Sequence, residues 1–192
     1  MTHIEIVNKV KSILNEHGEV DAVSITDDRV LLKDYIESAI PDAVIMLAQK
    51  GYAVNKKQYT KEDSGILDEN MDFISLVVAT CKEWNRPIHS LTSVDSPVYA
   101  MAQNEYTKPG PNSPIAWWDN DAQGSQLRFL PWDEEEPVNI TYNAQYDAET
   151  GINAEPKEAT AVCYMTAALV LGMFGEDQGK QRLSDIATNM LQ

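Results

Sequence analysis

The chain reads as an α+β fold: a helical bundle formed from N- and C-terminal helices, with an inserted small antiparallel β-sheet. Three observations predict it. Apolar residues recur at helical spacing near both ends of the 192 residues. The middle carries short β-branched or alternating runs instead. Between those runs lies Lys108-Pro-Gly-Pro-Asn-Ser-Pro114, punctuated too densely for any regular element. One domain of three segments follows: N-terminal helices over 1–54, a strand-rich insertion over 71–146 and C-terminal helices over 155–192.

The first helix is announced by Ile6, Val10, Ile13 and Leu14, with Gly18 after His17 as its stop. A second starts near Thr26-Asp27-Asp28, where a threonine caps free amides and the aspartates suit the positive helix end. Leu32, Tyr35, Ile36 and Ala39 form its face, and Ile40, Ala43, Val44 and Leu47 continue it up to Gly51. Pro41 interrupts the run. Because the apolar stripe carries on across it, one kinked helix is favoured over two. Residues 55–70 are polar and aperiodic and read as a surface connection.

Phe73–Thr80 is short, β-branched and apolar, which predicts a well-buried strand. Ser96-Pro97 reads as a cap and first-turn proline opening one or two helical turns through Gln103. Three strands follow: Ile115–Trp118, Leu127–Trp132 and the alternating Val138–Tyr142, with Asp119–Ser125 as a turn and Asp133–Pro137 as an acidic one. Glu155, Pro156 and Glu158 open a helix that runs through the apolar stretch to Phe174 and Gly175. The last helix has Asp177 as its cap and Leu183, Ile186, Ala187, Met190 and Leu191 on one face.

Composition narrows the function classes. The chain is 43% apolar and 23% charged, which fits a folded protein. Thirty acidic residues against fifteen basic ones give a net charge of −15. That argues against tight binding to nucleic acid or anionic lipid, both of which need clustered Lys and Arg. Met1–Val10 has no apolar core of a signal peptide. Ala161–Phe174, the longest near-apolar stretch, is too short for a membrane span and predicts a core helix. Cys81 and Cys163 each sit in an apolar run and read as buried free thiols in a reducing compartment.

Motifs for chemistry are scarce. His3, His17 and His89 lie far apart, with no HExxH or CxxC, so no metal or cofactor is expected. Neither cysteine has the electropositive setting of a nucleophile. Ser75, Ser90, Ser93, Ser96 and Ser113 have no recognisable base, and no catalytic residue is assigned. The sharper possibility is carbohydrate binding or glycan hydrolysis by carboxylates beside tryptophans: Asp119 and Asp121 next to Trp117-Trp118, and Asp133–Glu136 beside Trp132. Acidic residues in turns are more simply solvated caps, and the tryptophans sheet-face or subunit-contact residues. A further class is a small inhibitor that uses its acidic surface as a nucleic-acid mimic.

An ordered set of features resembles the head-to-tail connector (portal adaptor or ring) proteins of tailed phages, as in short-tailed and crAss-like phages. It comprises Ile36-Glu-Ser-Ala-Ile40, the strand Phe73–Thr80, and Trp84 with Arg86-Pro87. It continues through Ser96-Pro-Val-Tyr99, Gln103-Asn-Glu-Tyr106, the proline-rich Pro109–Pro114 leading into a hairpin, and the small-residue helix Ala159–Gly175. The resemblance implies a non-enzymatic virion protein, made in the host cytoplasm. It implies a homo-oligomeric ring, commonly of twelve copies, joining the portal protein to the next tail or ring protein. Genomic DNA would pass through its lumen during ejection without tight binding, and no membrane is involved. Many relatives dock to the portal through a C-terminal extension, whereas this chain stops at Leu191-Gln192. The N-terminal helix or the bundle sides are then expected to make that contact.

Overall fold

A computed structural model describes residues 1–16, 29–62, 72–121, 124–133 and 135–192. Gly18, His17 and the Thr26–Asp28 cap lie outside them. The described chain divides into two compact units. Unit 1 joins Met1–Lys56 to Gln145–Gln192, and unit 2 is Lys57–Ala144.

Unit 1 is helical. It holds α1 (His3–Glu16), α2 (Arg29–Gln49), α4 (Pro156–Met173) and α5 (Asp177–Leu191). α4 packs against α5, α2 and α1, and α1 also meets α2. That central place explains its composition, because a helix covered on several sides has no polar face to present. Ala161, Val162, Cys163, Ala167 and Ala168 are all buried. The C- and N-terminal helices thus close one bundle through α4, as the apolar stripes predict. α2 runs unbroken through Pro41, with Ile36, Ala39, Ile40, Ala43, Val44 and Leu47 buried. Tyr35, expected on that face, is instead 38% exposed, with its ring edge against Phe174.

Helix ends follow local chemistry. α4 opens with Pro156 at its first turn and the Glu155 amide donating to the Glu158 carboxylate at 2.9 Å. It closes on Gly175, whose φ of +80° lets the Gly175 and Glu176 amides turn back onto Gly172 and Leu171. Asp177 belongs to the first turn of α5 rather than capping it. The cap position is Glu176, which makes no side-chain cap bond. A second glycine is fixed by contact. At Gly151, φ is +74° and an added Cβ would lie 2.4 Å from the Met1 carbonyl, which accepts from the Ile152 amide.

Unit 2 holds β1 (Lys56–Lys61), β2 (Phe73–Thr80), α3 (Pro97–Ala102), β3 (Ile115–Asp121), β4 (Gly124–Leu130) and β5 (Val138–Ala144). The strands form two sheets where one was expected: β1-β5-β2, and the hairpin β3-β4. β2 and β5 are antiparallel, with bulges between Phe73 and Ser75 and between Leu76 and Val78. Three expectations need correction. The stretch 55–70 is not all connection, since Lys56–Lys61 pairs with β5. The strand-rich unit therefore begins at Lys57, before the expected 71. Phe73–Thr80 is an edge strand, and only Leu76 and Ala79 are buried there in the chain alone. Finally, the hairpin strands extend through Asp121 and from Gly124, so Asp119 lies in a strand and the turn is short.

The cores of unit 2 follow strand alternation. Ala116, Leu127 and Phe129 point from one hairpin face into a cluster with Leu76, Ala79, Trp84, Ile88, Ile140 and Tyr142. Ile115 and Trp117, on the other face, pack with Ala102 of α3, Tyr99 and Leu130. α3 starts where expected, with the Ser96 hydroxyl accepting from the Tyr99 amide at 3.2 Å.

Candidate functional binding groove

The second hairpin face is only partly covered by α3, and a groove of about 520 Å³ opens beside it. Cross-strand pairing fixes its floor. Trp117 stands opposite Arg128, and Asp119 is the next residue of β3 on the same face. α3 and the turn after it supply Tyr99, Gln103, Glu105 and Lys108, while Lys61 of β1 and Trp132 complete the lining. The volume lies in the range of small-ligand sites.

Its electrostatics are balanced. Arg128 donates its Nε–H to the Asp119 carboxylate at 2.6 Å, and both side chains are partly exposed. Lys61, 3% exposed, places its ammonium 5.8 Å from the centre of the Trp132 ring. The Trp132 indole donates to the Glu136 carbonyl at 2.8 Å, which holds that ring in place. Trp117 differs. Its Nε1–H is the one buried side-chain polar atom without a hydrogen-bond partner among the described residues. A buried unmade hydrogen bond costs about 1–3 kcal/mol, so packing of its edge-on neighbour Tyr99 and of Ala102 must offset it.

The structure brings together Trp117, Asp119 and Trp132 and separates the rest of the expected carboxylate–tryptophan set. Trp118 follows Trp117 directly, so it faces the other side and packs edge-on against Phe73. Asp133 and Glu135 are exposed, and Glu136 pairs with Lys82 at 2.8 Å. The neighbouring Glu83 carboxyl is pushed up by desolvation and by Asp133, Glu135 and Glu136. The side chain of Asp121 and all of Glu134 lie outside the described residues. Lys61, Tyr99 and Arg128 carry no motif in the sequence; only the hairpin register could have placed Arg128 opposite Trp117.

Elsewhere the chemistry-bearing residues are occupied structurally. His3 bridges Tyr146 at 2.6 Å and Glu37 at 2.8 Å. His89 is exposed, its Nδ1 3.3 Å from the Val77 carbonyl. Both cysteines are buried and free, and burial pushes the Cys163 thiol up to about 11. Ser75 accepts from Asn143 at 2.9 Å and Ser96 caps α3. No cluster of three His, Cys, Asp or Glu side chains suited to a metal gathers among the described residues. No helix among them is long and apolar enough to cross a membrane. No protein-family model matches the chain, and no match is found among the curated proteins.

Proposed function

We propose that the chain is a non-enzymatic structural subunit of a tailed-phage head-to-tail connector, a ring that joins the portal to the tail and extends the DNA channel. The observation that carries this reading is the order of elements: one helical unit assembled from both ends of the sequence, with a strand-rich unit inserted between. That is the architecture the family resemblance implies.

A second feature supports assembly. α3 is apolar on both sides: Tyr99 and Ala102 face the hairpin, while Val98 and Met101 are 48% and 53% exposed. Val94 before the helix and Tyr106 after it are exposed as well, Tyr106 being almost wholly in solvent. Such a surface suits a contact between copies. A closed ring needs two different patches per subunit, each covering about 800 Å². Charge fits the conduit role as well. At −15 per copy, a ring of about twelve repels duplex phosphate and lets DNA pass unbound.

Co-expression with a portal protein from the same genome tests the reading. Rings in negative stain and co-migration with the portal are the expected result. A monodisperse monomer that does not co-migrate would overturn it.

A further inference from the structure

We propose that copies of the chain join head to tail, the apolar outer face of α3 in one copy docking on a patch of Tyr35, Met173 and Phe174 in the next. The proposal rests on the connector reading and names the surfaces that reading leaves open. Two observations carry it: an exposed apolar patch on each unit, and unpaired charges of opposite sign beside them.

The first patch is the outer side of α3, with Val98 and Met101 about half exposed. The second lies in unit 1, where α2 packs against α4 near the end of that helix. Tyr35 belongs to the apolar stripe of α2, yet it is left partly in solvent with its ring edge against Phe174. The adjoining Met173 is 48% exposed. The two helices therefore carry more apolar surface than the bundle covers by itself. Tyrosine, phenylalanine and methionine are the side chains that protein contacts favour, and a flexible thioether adapts to the shape set against it.

Charge selects a second copy in this one orientation. Lys180 lies along Gly172, beside Met173, so closely that a Cβ on that glycine would meet its side chain at 2.9 Å. Asp95 precedes α3, and Glu105 follows it. None of these three has an ion pair among the described residues. Docking sets Lys180 against the carboxylates at the ends of α3. Lys108 and Asp177, also without ion pairs, carry the opposite signs across the same contact. Packing α3 on α3 instead would bring two acidic helix ends together and close the assembly at two copies. Packing it on a different patch repeats from copy to copy, as a ring requires.

Cross-linking between chains tests this. M101C and M173C chains, one carrying a size tag, are mixed and treated with a short bismaleimide, with and without the portal. The parent chain, whose Cys81 and Cys163 are buried, supplies the blank. The mixture is expected to give a heterodimer in about tenfold greater yield than either chain gives with itself. K180E in the M173C chain is expected to cut that yield about tenfold, and D95K/E105K in the M101C chain to restore it. M101C chains that link to each other as readily as to M173C chains would overturn the proposal. So would a yield that K180E leaves unchanged, or that D95K/E105K fails to restore in chains that melt like the parent. Portal-dependent rings without the mixed cross-link overturn this docking alone. Mixed cross-links in a chain that ignores the portal uphold the docking and overturn the connector reading, and absence of both overturns both.

Discussion

Tyr142 shows how one side chain ties sequence pattern to stability. It lies on the buried face of β5, stacked 5.4 Å from Phe73, and its hydroxyl donates to Asp72 at 3.1 Å. Asp72 is also paired with Lys57. Burial, with Asp72 adding to it, pushes the phenol up to about 12 from an ordinary 10.0. Tyr146 is pushed up to about 12 as well, by burial and then by Glu37 and Asp147. A folded-state pKa above the unfolded one gives stability that is complete below about 10 and lost as pH rises toward 12. Urea unfolding is therefore expected to show falling stability over that interval, and Y142F to lessen the fall. At neutral pH the same substitution is expected to cost about 1 kcal/mol, the net worth of a hydrogen bond. Trp117 and Trp118 show what the sequence could give at this scale. Adjacent strand residues face opposite ways, so both could not stack beside Asp119. Choosing which one did required knowing which face the core takes.

Among the described elements, α3 is the shortest helix and leans on its cap. Six residues cannot sustain a helix by propensity alone. Ser96, Pro97 and the contacts of Tyr99 and Ala102 hold it in place. S96A is expected to cost about 1 kcal/mol by urea unfolding. It should also speed amide exchange at Tyr99 and Ala100 more than in β5. Ser96-Pro97 was legible because capping chemistry is local. The helices were legible for a related reason: Ile6, Val10 and Ile13, or Ile36, Ile40 and Ala43, repeat the burial period directly. β1 was not. Lys56-Lys-Gln-Tyr-Thr-Lys61 has no apolar alternation, and its only fully buried residue is a lysine. Backbone pairing with β5 makes it a strand, and that partner lies far along the chain. The groove was hidden likewise, since Lys61, Tyr99 and Arg128 meet only after folding.

Over the whole molecule, the exposed face of α3 is where assembly and stability should come apart. Val98 and Met101 contribute little to the core of unit 2, being about half exposed. V98D/M101E is expected to leave unfolding stability within about 0.5 kcal/mol of the parent. The same pair should abolish portal-dependent rings in sedimentation and negative stain. A variant that still formed rings would move the subunit contact to another surface. The route of the chain has its own consequence. Asn55, 3% exposed, donates from Nδ2 to the Gln145 carbonyl at 3.1 Å and accepts from the Asn153 amide at 3.0 Å. The Lys56 amide donates to the Asn153 carbonyl, its carbonyl accepts from Asn153 Nδ2, and its ammonium pairs with Glu158 at 3.4 Å. The polypeptide therefore departs from the helices and returns to them through a single stitched doorway. A change of length between those two posts leaves these bonds intact, because none of their atoms belongs to residues 57–144.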